Sequence, residues 1–435
     1  MKKETVLRNP KLKSNEIGKS RWYDYYAGYS MDFVEDIINY LDLPNNSIIM
    51  DPWNGSGTTT QIAEEKGYPV FGFDINPVMV MVAIARRLDS SVYESINGIC
   101  NEIISKSKKY GASFVLKGDP LLTWFCLDTV VIIRKVERAL QEILISKQKY
   151  EFININKKYD KISSLAAFFY VGLFRTVKEL LKCFKSSNPT WIKTPLKDED
   201  KLTYSKDYML ILFKRHISEM AISIIPNGKN KSATPNVNIK VSSSENIPLD
   251  NKSVKAVISS PPYCTRIDYA IATKVELAVL GFSMEKNLTD LRKSMIGTPT
   301  INNMSLNNLN EWGTNAIDLL HKVKHHSSKS SNSYYYKNYL QYFNSMYLSL
   351  IEINRTLCHD GYTVMVIQDS YYKDVHVDLS QIITEMTSHL SWSIIEKFEF
   401  YKKQTLGGIN THSGKYRSSA SAVESVLIFK KSGGN

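Results

Sequence analysis

A glycine-rich turn between an apolar run and a run of threonines is the feature that most constrains the fold of this chain. The run Ser47–Met50 is followed by Asp51-Pro-Trp-Asn-Gly-Ser-Gly-Thr-Thr59. Short apolar runs bounded by turn residues are typical of buried strands. Gly55 and Gly57 allow the backbone of the turn to approach a ligand closely, and Thr58 then opens a helix. The segment therefore predicts a strand, a nucleotide-type loop and a helix.

A second strand is predicted about twenty residues later, where the apolar run Val70–Phe73 ends at Asp74. In doubly wound α/β folds, an acid at this position hydrogen-bonds the hydroxyl pair of a ribose. The loop contains two glycines, and no third glycine follows at the helix-packing position of the dinucleotide fingerprint. The two segments together therefore favour S-adenosylmethionine over NAD as the adenosine ligand.

A proline-rich loop, Ser260-Pro-Pro-Tyr263, follows a third strand-like run, Val254–Ile258. Two consecutive prolines impose a stiff, extended backbone. Acceptors at Ser260 Oγ and at the Pro261 carbonyl could hold the two hydrogens of an exocyclic base amine and direct its lone pair at a methyl donor. The ring of Tyr263 would then stack on the base. Because a base inside a duplex is out of reach of such a loop, this interpretation requires base flipping.

The two loops together resemble those of the N4-cytosine/N6-adenine DNA amino-methyltransferases, and the resemblance covers most of residues 20–430 apart from the middle. In these families Ser-Pro-Pro-Tyr is associated mainly with N4-cytosine methylation, and Asp- or Asn-Pro-Pro-Tyr with N6-adenine methylation. The segments 21–30, 242–249 and 354–368 resemble further sequence elements of these enzymes, and they occur in the same order as in the family. The cofactor loop precedes the catalytic loop here, so the chain is circularly permuted relative to many enzymes with these loop sequences.

The resemblance implies three sets of site residues. The resemblance assigns catalytic roles to Ser260, Pro261, Pro262 and Tyr263. Cofactor binding falls on Tyr29, Ser30, Asp51, Trp53, Gly55, Gly57, Thr58, Thr59, Asp74, Asn76 and Glu245, with Tyr29 and Ser30 near the methionine moiety and Glu245 near the adenine. The residues expected around the base are Arg266, Asp268, Tyr269 and Thr298, with capping of the next helix, predicted over 272–280, as the alternative role of Asp268. No metal site is predicted.

The fold class expected from these patterns is α/β, a doubly wound Rossmann-like methyltransferase sheet with a mostly helical insertion. Residues 1–15 are basic and lack periodic apolar positions, which predicts a flexible arm. Residues 16–92 and 237–435 are assigned to the methyltransferase core, with a helix predicted over 31–43, where apolar residues recur at helical spacing before Pro44, and a last strand predicted over 424–429. Residues 93–236 carry apolar positions at helical spacing, for example over 129–145 and 162–184, and are assigned to an insertion with a possible target-recognition role. The polar stretch 300–336 is interpreted as a mobile DNA-contacting segment, with a lid as the alternative.

Composition agrees with this interpretation. The chain has 435 residues, enough for more than one core, and its net charge of +12 fits a polyanionic partner such as DNA. Its five cysteines show neither metal-binding nor disulfide-rich spacing. No apolar run reaches transmembrane length, and the first residues lack an apolar secretory segment, so a cytoplasmic protein without membrane contact is expected.

The sequence thus predicts a site-specific DNA methyltransferase that transfers methyl from S-adenosylmethionine to the N4 amine of cytosine, with cognate restriction or defence proteins as possible partners. N6-adenine methylation of DNA is the alternative within the same mechanism, and methylation of an RNA base is the next. A non-catalytic nucleic-acid-binding module with the same fold is a further alternative. A nicotinamide oxidoreductase is also considered, but it leaves Ser260–Tyr263 without a role.

Overall fold

The computed structural model describes residues 7–12, 18–24, 28–111, 118–146, 150–156, 159, 162–186, 191–224, 236–264, 267–302, 309–402 and 422–432. A seven-stranded sheet lies at its centre. The strands are β1 (Ile49–Asp51), β2 (Val70–Asp74), β3 (Val237–Val241), β4 (Val254–Ser259), β5 (Leu357–Gln368), β8 (Trp392–Lys402) and β9 (Ala422–Lys431), and a separate hairpin is formed by β6 (Ser370–Tyr372) and β7 (Val375–Val377). The spatial order is β3-β2-β1-β4-β5-β9-β8.

Strands β1 to β5 are parallel, and β9 runs antiparallel between β5 and β8. The chain passes from β1 outward to β2 and β3, and it returns to the other side of β1 for β4 and β5. The direction of winding therefore reverses between β1 and β4. In open α/β sheets, ligands bind outside the carboxyl ends of the strands at such a switch point.

Fourteen α-helices surround the sheet in the described ranges. They are α1 (Met31–Leu41), α2 (Thr58–Glu65), α3 (Pro77–Arg86), α4 (Tyr93–Ser107), α5 (Leu127–Leu144), α6 (Ile153–Asn156), α7 (Ser164–Leu180), α8 (Lys206–Ile222), α9 (Tyr269–Ala272), α10 (Lys274–Val279), α11 (Lys286–Ser294), α12 (Thr314–His325), α13 (Tyr336–Thr356) and α14 (Leu379–Ser388). None of these helices combines the length and the apolar composition needed to cross a bilayer.

Helices cover both faces of the sheet. Ile49 of β1 packs in one hydrophobic cluster with α1 and α2, whereas its neighbour Met50 packs in another with α12, α13 and α14. Successive side chains of a strand point to opposite faces, so the two clusters lie on opposite sides of the sheet. Burial on both faces explains why the strands read as continuous apolar runs. The predicted doubly wound α/β fold is confirmed.

Helices α4 to α8 lie between α3 and β3, in the segment assigned to the insertion. Their apolar residues form one cluster with those of α3 and α10. The helical character expected for this segment is therefore observed, and its core is continuous with that of α3.

Three elements differ from the sequence-based expectation. Strand β3 was not predicted, because it is an edge strand in which only Ile239 is buried and the alternating Asn238 and Lys240 interrupt the apolar run. The helix expected over 272–280 is instead two short helices, α9 and α10, separated at Thr273. Residues 314–325, expected in a mobile segment, form α12, whose Leu319, Leu320 and Val323 are buried against α13 and α14.

Candidate active site

A cavity of about 330 Å³ opens at the carboxyl ends of β1, β2, β3 and β4. This volume falls in the range of small-molecule and cofactor sites. Both loops singled out in the sequence contribute to its wall: the glycine-rich turn through Pro52 and Trp53, and the proline loop through Ser260–Tyr263. The end of β2 adds Asp74, Ile75 and Asn76. The two motifs, which are about 200 residues apart in the sequence, therefore meet at one site.

The glycine-rich turn packs tightly against α3. Gly57 has a φ of +85°, and a Cβ at this position would lie 2.8 Å from the Cβ of Ala83. The backbone N–H of Gly55 donates to Asp74 Oδ2 at 2.8 Å, which joins the turn to the end of β2. Any side chain at position 57 would therefore separate the loop from α3 and disturb the placement of Asp74.

Asp51 is buried beneath the turn and orients it. Its carboxylate accepts hydrogen bonds from Ser259 Oγ, from the Tyr29 hydroxyl at 3.1 Å and from the Trp53 N–H at 3.1 Å. Burial raises the pKa of Asp51 above its ordinary value. Tyr29 also contacts the hydroxyl of Thr59, so both belong to the network behind the cavity and neither lines it. In this structure the three residues support the loop.

Asp74 lies at the cavity wall, and both of its carboxylate oxygens are held by backbone. Oδ2 accepts from Gly55, and Oδ1 accepts from the Asn76 N–H at 2.8 Å. Burial raises the pKa of Asp74 to about 6, although the two backbone hydrogen bonds act to lower it. The fixed carboxylate retains lone pairs for ligand hydroxyl groups, as the predicted ribose contact requires.

Three hydrogen bonds between described residues hold the proline loop in place. Ser260 Oγ donates to the Val366 carbonyl of β5 at 2.9 Å, and the Tyr342 hydroxyl donates to the Pro262 carbonyl at 3.0 Å. The Tyr263 N–H donates to the hydroxyl of Tyr269 at 3.3 Å. No described residue donates a hydrogen bond to the Pro261 carbonyl. Because the Ser260 hydrogen is already engaged, its oxygen can only accept a further hydrogen bond.

Close backbone packing supports the loop from the far side. Gly297 has a φ of +75°, and a Cβ there would lie 2.5 Å from the carbonyl oxygen of Tyr263. The next residue, Thr298, is buried, and its carbonyl accepts from Asn338 Nδ2 at 2.8 Å. Thr298, predicted to lie near the base, therefore belongs to the layer behind the loop and does not line the cavity.

The other residues predicted around the base have different positions. Arg266 lies outside the described residues. Asp268 caps α9 by accepting from the Ile271 N–H at 3.1 Å and forms an ion pair with Arg292 at 2.7 Å, as in the alternative helix-capping role. Tyr269 lines the cavity in addition to supporting Tyr263.

Among the predicted cofactor residues, Trp53, Asp74 and Asn76 line the cavity. Asn76 also caps α3 and donates to Thr273 Oγ1 at 2.9 Å. Ser30 caps α1 by accepting from the Phe33 N–H at 3.3 Å. Glu245 is half-buried, and burial raises its pKa. The remaining members of the predicted set, Ser30, Gly55, Gly57, Thr58 and Glu245, lie next to the cavity-forming segments without lining the cavity.

Several cavity residues were not assigned from the sequence. Tyr23 and Asp24 precede α1, and Ser242–Ser244 follow β3, so both groups lie in segments with the family resemblance. The insertion contributes Lys178, Lys185 and Ile192. In the sequence, Arg175, Lys178, Lys182 and Lys185 recur at three- and four-residue steps and could form one basic stripe, but this spacing does not show that Lys178 and Lys185 reach the cavity.

Three Type II methyltransferases resemble this chain in sequence over most of its length. No protein-family model matches the chain. Type II methyltransferase M.BsoBI of Geobacillus stearothermophilus is 24% identical over 483 residues, covering 98% of this chain and 89% of the relative. M.AvaI of a Nostoc species, also a Type II methyltransferase, is 21% identical over 88% of this chain and 82% of its own length. M.MvaI of Kocuria varians, of the same description, is 20% identical over 83% of this chain and 78% of its own length.

Proposed function

Because this chain resembles Type II methyltransferases over nearly its whole length, we propose that it is a DNA methyltransferase acting on the exocyclic N4 amine of cytosine. The cofactor is S-adenosylmethionine, which supplies an electrophilic methyl group on a sulfonium. The Asp74 carboxylate, fixed by two backbone N–H groups at the cavity wall, is suited to the ribose hydroxyls. Trp53 and Ile75 supply apolar surface in the same wall.

The observation that carries the choice of an amine substrate is the arrangement of acceptors at the proline loop. Ser260 Oγ gives its hydrogen to Val366, and the Tyr342 hydroxyl occupies the Pro262 carbonyl. The Ser260 oxygen and the Pro261 carbonyl are therefore left as paired acceptors. Holding both amine hydrogens in this way would turn the nitrogen lone pair out of conjugation with the ring and towards the methyl group.

A target base in a duplex must leave the stack to reach these acceptors, so the proposal includes base flipping. Tyr263, which lines the cavity, is assigned to stack on the flipped base. Lys178 and Lys185 of the insertion lie in the cavity wall, which supports a substrate-binding role for residues 93–236. The similarity to Type II methyltransferases also supports a role in restriction and modification, with a cognate nuclease as partner.

The direct test is mass spectrometry of nucleosides after incubation of unmodified DNA with the protein and methyl-labelled S-adenosylmethionine. We expect labelled N4-methyldeoxycytidine, and much less of it with Tyr263→Ala, which lacks the stacking ring. Label in N6-methyldeoxyadenosine would instead establish the adenine alternative. Label that appears only in a parallel incubation with RNA would show that the substrate is RNA. Cofactor binding by calorimetry without label in either polymer would support the non-catalytic alternative.

The raised pKa of Asp74 predicts a pH dependence of cofactor affinity. Its pKa is about 6, so the carboxylate that accepts from the ribose is mostly protonated at pH 5. We expect the dissociation constant for S-adenosylmethionine, measured by calorimetry, to rise about tenfold from pH 7 to pH 5, following the ionised fraction. The Asp74→Asn variant should bind more weakly at pH 7 and show a flatter profile. An unchanged dissociation constant across this range would contradict the ribose assignment.

A further inference from the structure

The first described segment of the chain, residues 7–12, packs against α1 and reaches the proline loop through Lys11, and we call it the N-terminal strap. Leu7 is buried in the cluster of α1 and α2. Arg8 pairs with Asp36 of α1 at 2.7 Å, and the Ser30 N–H donates to the Pro10 carbonyl at 2.8 Å. The flexible arm expected over residues 1–15 is therefore not observed at 7–12, while 1–6 and 13–15 lie outside the described residues.

Lys11 of the strap brings a charge to the proline loop. Its Nζ lies 5.4 Å from the ring centroid of Tyr263, within the range of a cation–π contact. The same atom lies 3.4 Å from Oε1 of Glu424 and donates to the Gly28 carbonyl at 3.3 Å. The side chain of Lys11 is 18% exposed and that of Glu424 only 7%. Partial desolvation strengthens both the ion pair and the cation–π contact.

The Lys11–Glu424 pair lies near the end of β5 to which the proline loop is hydrogen-bonded. Glu424 is paired with Gln368, the last residue of β5, and Ser260 is hydrogen-bonded to Val366 on the same strand. Tyr263 lines the cavity, whereas Lys11 does not. The ammonium group therefore contacts the tyrosine from outside the cavity and leaves its cavity side to a ligand.

We propose that Lys11 is a positioning residue that fixes the ring of Tyr263 for stacking on the target base, with Glu424 and the Gly28 carbonyl holding the ammonium group in place. This inference rests on the proposed function, because the base is the ligand of that ring. A ring restrained in the free protein loses less conformational freedom when the base enters. Lys11 thus influences the reaction only through the Tyr263 ring and does not touch the reacting atoms.

The test compares Lys11→Met, which removes the charge at similar length, with Lys11→Arg, which retains a cation. We expect Lys11→Met to lower kcat/KM for unmodified DNA by about tenfold, within the range of a partly desolvated cation–π contact. Lys11→Arg should restore most of the activity, and cofactor affinity should not change in either variant. Lys430→Met is the matched control, since its ammonium lies 5.9 Å from the ring of Tyr362 at the opposite end of β5 and β9.

A double-mutant cycle separates positioning from a general structural role. If Lys11 acts through Tyr263, Lys11→Met should have no further effect in the Tyr263→Leu background. An equal loss in both backgrounds would overturn the proposal, as would wild-type kcat/KM for folded Lys11→Met.

A second readout does not depend on turnover. In protein labelled with 3-fluorotyrosine, the ¹⁹F signal of Tyr263, assigned with Tyr263→Phe, should shift in Lys11→Met and remain near its position in Lys11→Arg and Lys430→Met. An unshifted signal in Lys11→Met would overturn the contact itself. Shifted signals in a protein that methylates no DNA would instead refute the proposed function and leave the Lys11–Tyr263 contact established.

Discussion

Replacing Arg134 with methionine is expected to lower the free energy of unfolding by about 3–5 kcal/mol, the cost of removing one partner from a buried ion pair. The Arg134 guanidinium is 1% exposed and forms ion pairs with Asp119 at 2.8 Å and with Glu137. It also donates to the carbonyls of Ala278 and Val279 at the end of α10. Methionine fills a similar volume but removes the only cation paired with the two buried carboxylates among the described residues, which keep neutral donors such as the Tyr150 hydroxyl and the Leu121 N–H.

Urea unfolding monitored by tryptophan fluorescence would measure this loss. Burial already raises the pKa of Glu137, and removal of Arg134 should raise it further. A carboxyl group whose pKa is higher in the folded than in the unfolded state destabilises the protein as pH rises above the unfolded value. The difference in the free energy of unfolding between Arg134→Met and wild type should therefore be larger at pH 7 than at pH 4.5.

Arg138, one helical turn later on α5, provides the matched control. It pairs with Glu142 at 2.8 Å, and its side chain is 32% exposed. Ion pairs of this exposure contribute about 0–1 kcal/mol, so Arg138→Met should change the free energy of unfolding by no more than that. Equal losses for the two variants would show that Arg134 is not a buried anchor between the insertion and α10.

Replacing Ser260 with alanine is expected to lower kcat about a hundredfold, the scale seen when a reacting group is misplaced by about 1 Å. The loss follows because one of the two proposed acceptors for the amine hydrogens disappears, together with the hydrogen bond to Val366 that fixes the loop on β5. The dissociation constant for S-adenosylmethionine should stay nearly unchanged, since Ser260 is assigned to the base. Steady-state methyl transfer and calorimetry measure the two quantities separately.

The preceding serine gives a direct contrast. Ser259 is buried and donates to Asp51 Oδ1, so it supports the cofactor loop and has no assigned contact with the base. Ser259→Ala should weaken cofactor binding more than it lowers kcat at saturating cofactor. A large loss of cofactor affinity in folded Ser260→Ala would contradict the assignment of these neighbouring residues to different ligands.

The local sequence was sufficient to predict helices and strands whose apolar residues follow a clear pattern and whose ends are marked by turn residues. Helix α1 was predicted because its apolar residues recur at helical spacing before Pro44, and β1, β2, β4 and β9 because buried strands read as continuous apolar runs. Strand β3 and helix α12 were missed because an edge strand and a surface helix bury only one side, and their remaining residues are polar.

The active site was predicted less completely than the sheet. The structure brings Trp53, Asp74, Asn76 and Ser260–Tyr263 to the cavity wall because they lie at or just beyond the carboxyl ends of strands. Tyr29, Thr59 and Thr298 lie one layer behind, a difference of a few ångströms that depends on side-chain direction. Tyr342 was not assigned at all, since its position in the middle of α13 gives no local sign that its hydroxyl reaches Pro262.

The sequence by itself determined the doubly wound sheet and the two loops that meet at its switch point, because strand periodicity, glycine conformation and proline stiffness act over a few neighbouring residues. Only the tertiary structure decided which side chains complete the site. Lys11, Lys178 and Tyr342 come from the strap, the insertion and a late helix. Contacts between distant segments depend on the packing of whole elements, and no local pattern encodes that packing.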